Sequence, residues 1–219
     1  MSHFYCKTNL CSVVVSVFIG ALLSAVLAGC TTSKTLRMGK VSQEGYFQAM
    51  DQATSSSVAY GYSSTVSAGT VPPYTKGYKE KYNAATVLLE HDMPGRVDSL
   101  TQQYLETRTG GIDSTSSTAL TVELRDFKRA KWVPGDKGDM LAKALDGEEV
   151  TTKYATKMSV AVQVRDGATV RDSTTIQVES KTAAPAGSGD KSSTWEKLIG
   201  KMNIKYMDAL GEFLGTNEM

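Results

Sequence analysis

The sequence predicts an α+β fold: an antiparallel sheet of about four strands with two helices packed on one face, preceded by a signal peptide and a flexible tether. Three observations carry this reading. Apolar residues alternate with polar ones through Leu120, Val122 and Leu124, again through Met158, Val160, Val162 and Val164, and then at Ile176 and Val178, so each run needs cover on one side only. Helical spacing appears twice, at Val97, Leu100, Thr101 and Tyr104 and over residues 195–213. A long apolar run ends at residue 29 and is followed by polar sequence, which separates a leader from a body.

The leader comes first. Residues 1–9 hold one cation, Lys7, and no acid, and residues 13–23 form an apolar core, the n-region and h-region of a secretory signal over residues 1–29. The apolar stretch 11–29 approaches the ~20 residues needed to cross hydrocarbon, so an uncleaved helix is the competing reading. Small residues at its far end, and no Lys or Arg cluster after it, favour cleavage. The last four residues, Leu27-Ala28-Gly29-Cys30, resemble the lipobox of bacterial lipoproteins. That resemblance implies that Leu27, Ala28 and Gly29 are recognised by the signal peptidase. It also implies that Cys30 becomes the first mature residue, with a thioether-linked diacylglycerol and an acylated amine. At about 0.8 kcal/mol per buried methylene, one chain binds marginally while two or three hold stably. Thr31 rather than Asp follows Cys30, which in enteric-type bacteria directs export to the outer membrane, so the expected location is a lipid anchor there with the body facing the periplasm.

The composition narrows what the body can do. Of the three cysteines, Cys6 and Cys11 lie in the leader and Cys30 is the lipidation site, so the body is expected to have no disulfide and no thiolate metal site. The chain has 24 Lys and Arg against 23 Asp and Glu, and the leader removes Lys7 and no acid, so the mature side chains balance. A balanced chain gives no electrostatic reason to expect nucleic acid as a partner. About 190 residues remain after the leader, enough for one ordinary domain.

Residues 30–58, rich in Ser, Thr and Gln, read as the acylated N-terminus and a flexible tether, with 46–50 as a short helix or a transient turn. Residues 59–83 read as an irregular, tyrosine-rich segment. Tyr60, Tyr62, Tyr74, Tyr78 and Tyr82 are the candidate interaction residues, because a ring with a polar tip suits a glycan, a lipid headgroup or a protein partner. The favoured alternative has them cover the domain's own surface, since their spacing fits neither a helical face nor a regular strand.

The folded domain is expected over residues 84–215. It opens with a strand at 84–90, followed by a helix that Asp92 caps, Pro94 enters and Gly110-Gly111 stops. A strand from Thr118 towards Trp132 follows, then a loop with a possible helical turn at 136–153. A hairpin turning at Asp166-Gly167 completes a three-stranded meander, and a flexible connector spans 183–192. The last element is an amphipathic helix with Trp195, Leu198, Ile199, Met202, Tyr206, Ala209, Leu210 and Phe213 on one stripe. Ser193 and Glu196 have the spacing of a capping box, and Gly215 is placed to end the helix. Its mixed polar face favours packing on the sheet over lying on lipid. Gly200, Ile204 and Gly211 fall on neither stripe, which either permits a close neighbour there or is a tolerated irregularity costing about 1 kcal/mol per Gly.

Chemistry is sparse. His3 leaves with the leader, and a lone His91 cannot assemble a zinc site or a triad; it reads as a surface residue at a helix start. Asp136, Asp139, Glu148 and Glu149 are the only candidates for a paired-carboxylate or calcium site, and their spacing lacks the alternation of an EF-hand, so a solvated loop is favoured. No phosphate loop or dinucleotide fingerprint occurs. The expectation is therefore a protein that is not an enzyme and has no metal and no cofactor. The element order behind the lipobox resembles small envelope lipoproteins of the LptE, YajG and ABC-transport auxiliary types. That resemblance implies a non-catalytic accessory or assembly factor of an envelope complex, or alternatively a periplasmic module that binds lipid or glycan.

Overall fold

The computed structural model describes residues 34–48, 56–71, 87–132, 145–149, 151–185 and 192–216. The lipobox, the leader, and the tyrosines at 74, 78 and 82 lie outside them, as do Asp136 and Asp139. In chain order the elements are β1 (Lys34–Arg37), α1 (Glu44–Gln48), β2 (Ala59–Ser64), β3 (Gly69–Val71), β4 (Val87–His91), α2 (Met93–Arg108), β5 (Thr118–Trp132), β6 (Thr151–Asp166), β7 (Thr169–Pro185) and α3 (Ser192–Thr216).

The fold is α+β, as the periodicities predict. Strands β5, β6 and β7 form the antiparallel meander, with Leu120 opposite Val164, Val122 opposite Val162, and Val160 opposite Ile176. The hairpin turns at Gly167, whose φ of 55° suits glycine. Strand β5 spans the stretch expected of it, β6 and β7 run longer than their alternation suggests, and residues 183–185, expected in a flexible connector, continue β7, with Pro185 opposite Thr151.

Two expectations are corrected at the front of the domain. The fourth strand of the large sheet is β2, drawn from the segment read as irregular, and it pairs in parallel with β5, Tyr60 opposite Leu120 and Tyr62 opposite Val122. The strand expected at 84–90 does form, as β4, but it enters a second sheet of order β1-β4-β3, parallel to β1 and antiparallel to β3. The tether reading fails with it: β1 and α1 both lie within residues 30–58, and Leu36 and Phe47 are buried in the core. The physical reason is that short strands need no periodic signature when neighbouring strands supply their hydrogen bonds.

Both long helices cover one face of the large sheet. α3 lies against β6 and β7 and α2 against β2 and β5, and the inward residues of the sheet join both helices in a single apolar cluster. α3 buries ten side chains, including Trp195, Leu198, Met202, Tyr206 and Leu210. At roughly 1.5–3 kcal/mol for each large apolar side chain, this stripe dominates the helix's hold on the sheet. Helix α2 is capped as its sequence predicts, with Asp92 Oδ1 accepting from the Gly95 N–H at 3.0 Å. The capping box of α3 is not made: Ser193 lies inside the helix, and the Glu196 carboxylate accepts from the Gly39 N–H at 2.9 Å, tying the chain after β1 to α3. Of Gly200 and Gly211, only Gly211 marks a close approach, where a Cβ would meet Tyr104, while a Cβ at Gly200 would make an ordinary contact with Val41.

Candidate functional site

The two described tyrosines among the candidate interaction residues are drawn into the fold. Because β2 alternates, Tyr60 and Tyr62 share a face and pack half-buried against the core. Tyr60 Oη donates to Asp98 Oδ1 of α2 at 3.0 Å, and Asp98 also accepts from Gln102 Nε2 at 2.9 Å. Burial, then the negative charge of Asp98, pushes the Tyr60 phenol well above its usual range; burial likewise raises Tyr62. Deeper in, Tyr206 Oη and Thr101 Oγ1 share a hydrogen bond of 2.8 Å, and Thr101 also donates to the Val97 carbonyl. These phenols remain protonated at physiological pH, and Tyr60 and Tyr206 join the sheet edge, α2 and α3. The i, i+2 spacing of Tyr60 and Tyr62 is the sequence signal for this strand face.

His91 is not a surface residue. It ends β4 at 7% exposure, its ring packs edge-to-face on Phe127 at 4.7 Å between centroids, and its Nδ1 accepts from the Met93 N–H at 3.2 Å. Burial lowers its pKa below the ordinary imidazole value, opposed by Asp92. A neutral ring whose one acceptor is already used is a packing and capping group rather than a general base.

A cleft of about 560 Å³ opens beside it, between the chain at 38–44 and the exposed side of α2. Four long-range bonds hold its outer wall. Besides Gly39 to Glu196, Arg96 Nη1 donates to the Val41 carbonyl at 3.0 Å, Gln43 Nε2 to the Gly200 carbonyl at 3.4 Å, and Tyr46 Oη to Asp208 Oδ1 at 2.7 Å. Met38, Val41 and Leu100 give the cleft apolar surface, while Lys40, Ser42, Ser99 and Gln103 give it hydrogen-bonding groups. Such a lining suits an amphipathic chain or a small ligand. These residues carry no periodic pattern, and sequence reasoning misses them for that reason.

The second open surface is the side of the large sheet away from the helices. A shallow groove of about 410 Å³ there is lined by Thr121, Glu123, Arg125, Gln163, Ser173 and Thr175 with Ala161. Towards the hairpin turn, residues 169–175 of β7 are exposed on both faces, and Val170 is 45% exposed. Among the described residues no group of three or more His, Cys, Asp or Glu comes together. Glu148 and Glu149 are exposed. No described helix is long and apolar enough to cross a membrane.

The chain is similar in structure to protein XCC0632 from Xanthomonas campestris, of the family DUF330, with a TM-score of 0.45 and 12% identity over 81% of this chain and 89% of that one. It is also similar to the rare lipoprotein B from Shewanella oneidensis, with a TM-score of 0.39 and 14% identity over 73% of this chain and 96% of that one. No protein-family model and no curated protein matches the sequence.

Proposed function

We propose that this chain is a non-catalytic lipoprotein of the bacterial envelope, anchored in the outer membrane through Cys30 with its body in the periplasm. Its role is that of an accessory or assembly factor for a transport or outer-membrane assembly complex. The lipobox supports the anchor, and the observation that best supports protein binding is the β6–β7 hairpin. Among the described residues β7 pairs on one side only, with β6, over seventeen residues. The last strand of a sheet offers backbone N–H and C=O groups to an added strand. One half of that edge is guarded, by Lys205 Nζ donating to the Glu179 carbonyl at 2.7 Å and by the Lys181–Glu179 pair at 2.9 Å. The half nearest the turn, at 169–175, is rich in Thr and Ser and stands clear of both helices.

The test is recovery of a complex. After mild detergent extraction and crosslinking, the wild-type protein is expected to come out with an envelope protein. A variant carrying Ser173→Lys and Thr175→Lys should lose it while melting at the same temperature. Recovery of a lone monomer in both cases would refute the reading. The cleft between residues 38–44 and α2 supports a second reading, a module that binds lipid or glycan. Native mass spectrometry of the extracted protein should then show a bound lipid or a shift with envelope glycans, and a bare mass under both conditions removes it.

A further inference from the structure

The body begins much closer to the proposed lipid than a tether would place it, and this fixes which end of the molecule faces the membrane. Cys30 and Lys34 are four residues apart, so even a fully extended chain separates their Cα atoms by no more than about 14 Å. A 28-residue coil, by contrast, has a root-mean-square span of about 30 Å.

The position of Lys34 in the body follows from the register. Lys34 is opposite Val87, the first residue of β4. The far end of β4, His91, packs on Phe127 of β5. Midway, Leu89 is opposite Val71, whose carbonyl accepts from Arg129 Nε at 2.9 Å. Stepping two residues along both strands each time, Val87 and Lys34 come level with Lys131. That is the end of the body where β5 finishes, β6 begins opposite the end of β7, and α3 starts, with Trp195 against Tyr154 at 5.3 Å. The hairpin turn at Gly167 lies at the other end of the sixteen-residue β6, about 50 Å away.

We infer that this end, marked on the described surface by Lys153 beside the start of β6, is apposed to the lipid headgroups, and that the hairpin turn points away from the membrane. The inference rests on acylation of Cys30. The mature side chains balance in charge, so no net attraction to anionic lipid pulls the length of the body down onto the surface. A body held at one end by a short leash then stands on that end. The edge of β7 near the turn is thereby held out towards partners in the periplasm, and the groove on the sheet's open face rises with it.

The experiment uses full-length acylated protein purified from membranes and reconstituted in vesicles of phosphatidylethanolamine and phosphatidylglycerol bearing a fluorescent headgroup acceptor. With Cys30 blocked by lipid, a donor dye is placed at Lys153→Cys or at Ala168→Cys, both exposed positions. Energy transfer to the membrane should be several-fold higher from position 153 than from 168. Inserting about 20 Gly and Ser residues between Thr32 and Ser33, a coil with a root-mean-square span of about 25 Å, should lower the transfer at 153 with acylation unchanged. Equal transfer from both positions, or more from 168, in a protein that incorporates labelled palmitate overturns the orientation and leaves the lipoprotein reading standing. A wild-type protein that takes up no palmitate removes both.

Discussion

The two glycines on the side of α3 should respond to the same substitution in opposite directions. In an exposed helix interior Gly→Ala gains about 1 kcal/mol, because alanine has less backbone freedom to lose. At Gly200 nothing opposes that gain, since a new Cβ would sit 3.4 Å from Val41 Cγ1, an ordinary contact. At Gly211 the Cβ would fall 2.5 Å from Tyr104 Oη and 3.4 Å from Cζ, and Tyr104 is only 4% exposed on α2. Overpacking of this kind costs roughly 1–3 kcal/mol, enough to cancel or reverse the helical gain. The two variants should therefore differ by about 2–12 °C in Tm, at roughly 2–4 °C per kcal/mol for a body of this size. Thermal and urea unfolding of the mature chain with Cys30→Ser gives the comparison. Repeating it in a Tyr104→Phe background, which deletes the clashing oxygen, should turn Gly211→Ala into a stabilising change. If both glycine variants stabilise alike, or the Tyr104→Phe background leaves Gly211→Ala unaltered, the close crossing of α2 and α3 at this point is wrong.

The shared hydrogen bond between Thr101 and Tyr206 predicts an asymmetry. Thr101→Val strands a fully buried phenol and should cost about 1–3 kcal/mol, whereas Tyr206→Phe should cost about 1 kcal/mol or less because Thr101 keeps its bond to the Val97 carbonyl. Urea midpoints that rank the two the other way would remove that bond from the account. For His91, burial depresses the folded-state pKa below the ordinary 6.5, so the unfolded chain takes up a proton first as pH falls. Its contribution is complete above 6.5, is lost as pH drops below that value towards the folded pKa, and should vanish from the Tm-against-pH curve in His91→Asn. A curve with the same slope in both proteins between pH 7 and about pH 5 would contradict it.

Several parts of this molecule are legible in its residues alone, and for a common reason. The stripe from Trp195 to Phe213 and the alternation in β5, β6 and β7 are long patterns, each repeated against one continuous apolar layer. Asp92 and Pro94 mark the start of α2 by chemistry confined to one turn. Short pieces that borrow their stability from elsewhere carry no such mark. Strand β2 reads as loop because a Tyr-Gly-Tyr-Ser run is not apolar. It becomes a strand through pairing with β5 some sixty residues later, and Tyr60 is fixed by a carboxylate on α2. The misreading of His91 has the same origin, since its burial depends on Phe127, which no local rule places beside it.

Residue types at short spacing were enough to set out the long helices, the meander and the absence of charge bias. Three other features exist only once the chain has folded: the entry into its sheet by Lys34, the inward turn of the candidate tyrosines Tyr60 and Tyr62, and the cleft beside α2. Those outcomes turn on which strand pairs with which. That choice is made by hydrogen bonds and buried contacts between residues tens of positions apart, where local preference carries no information.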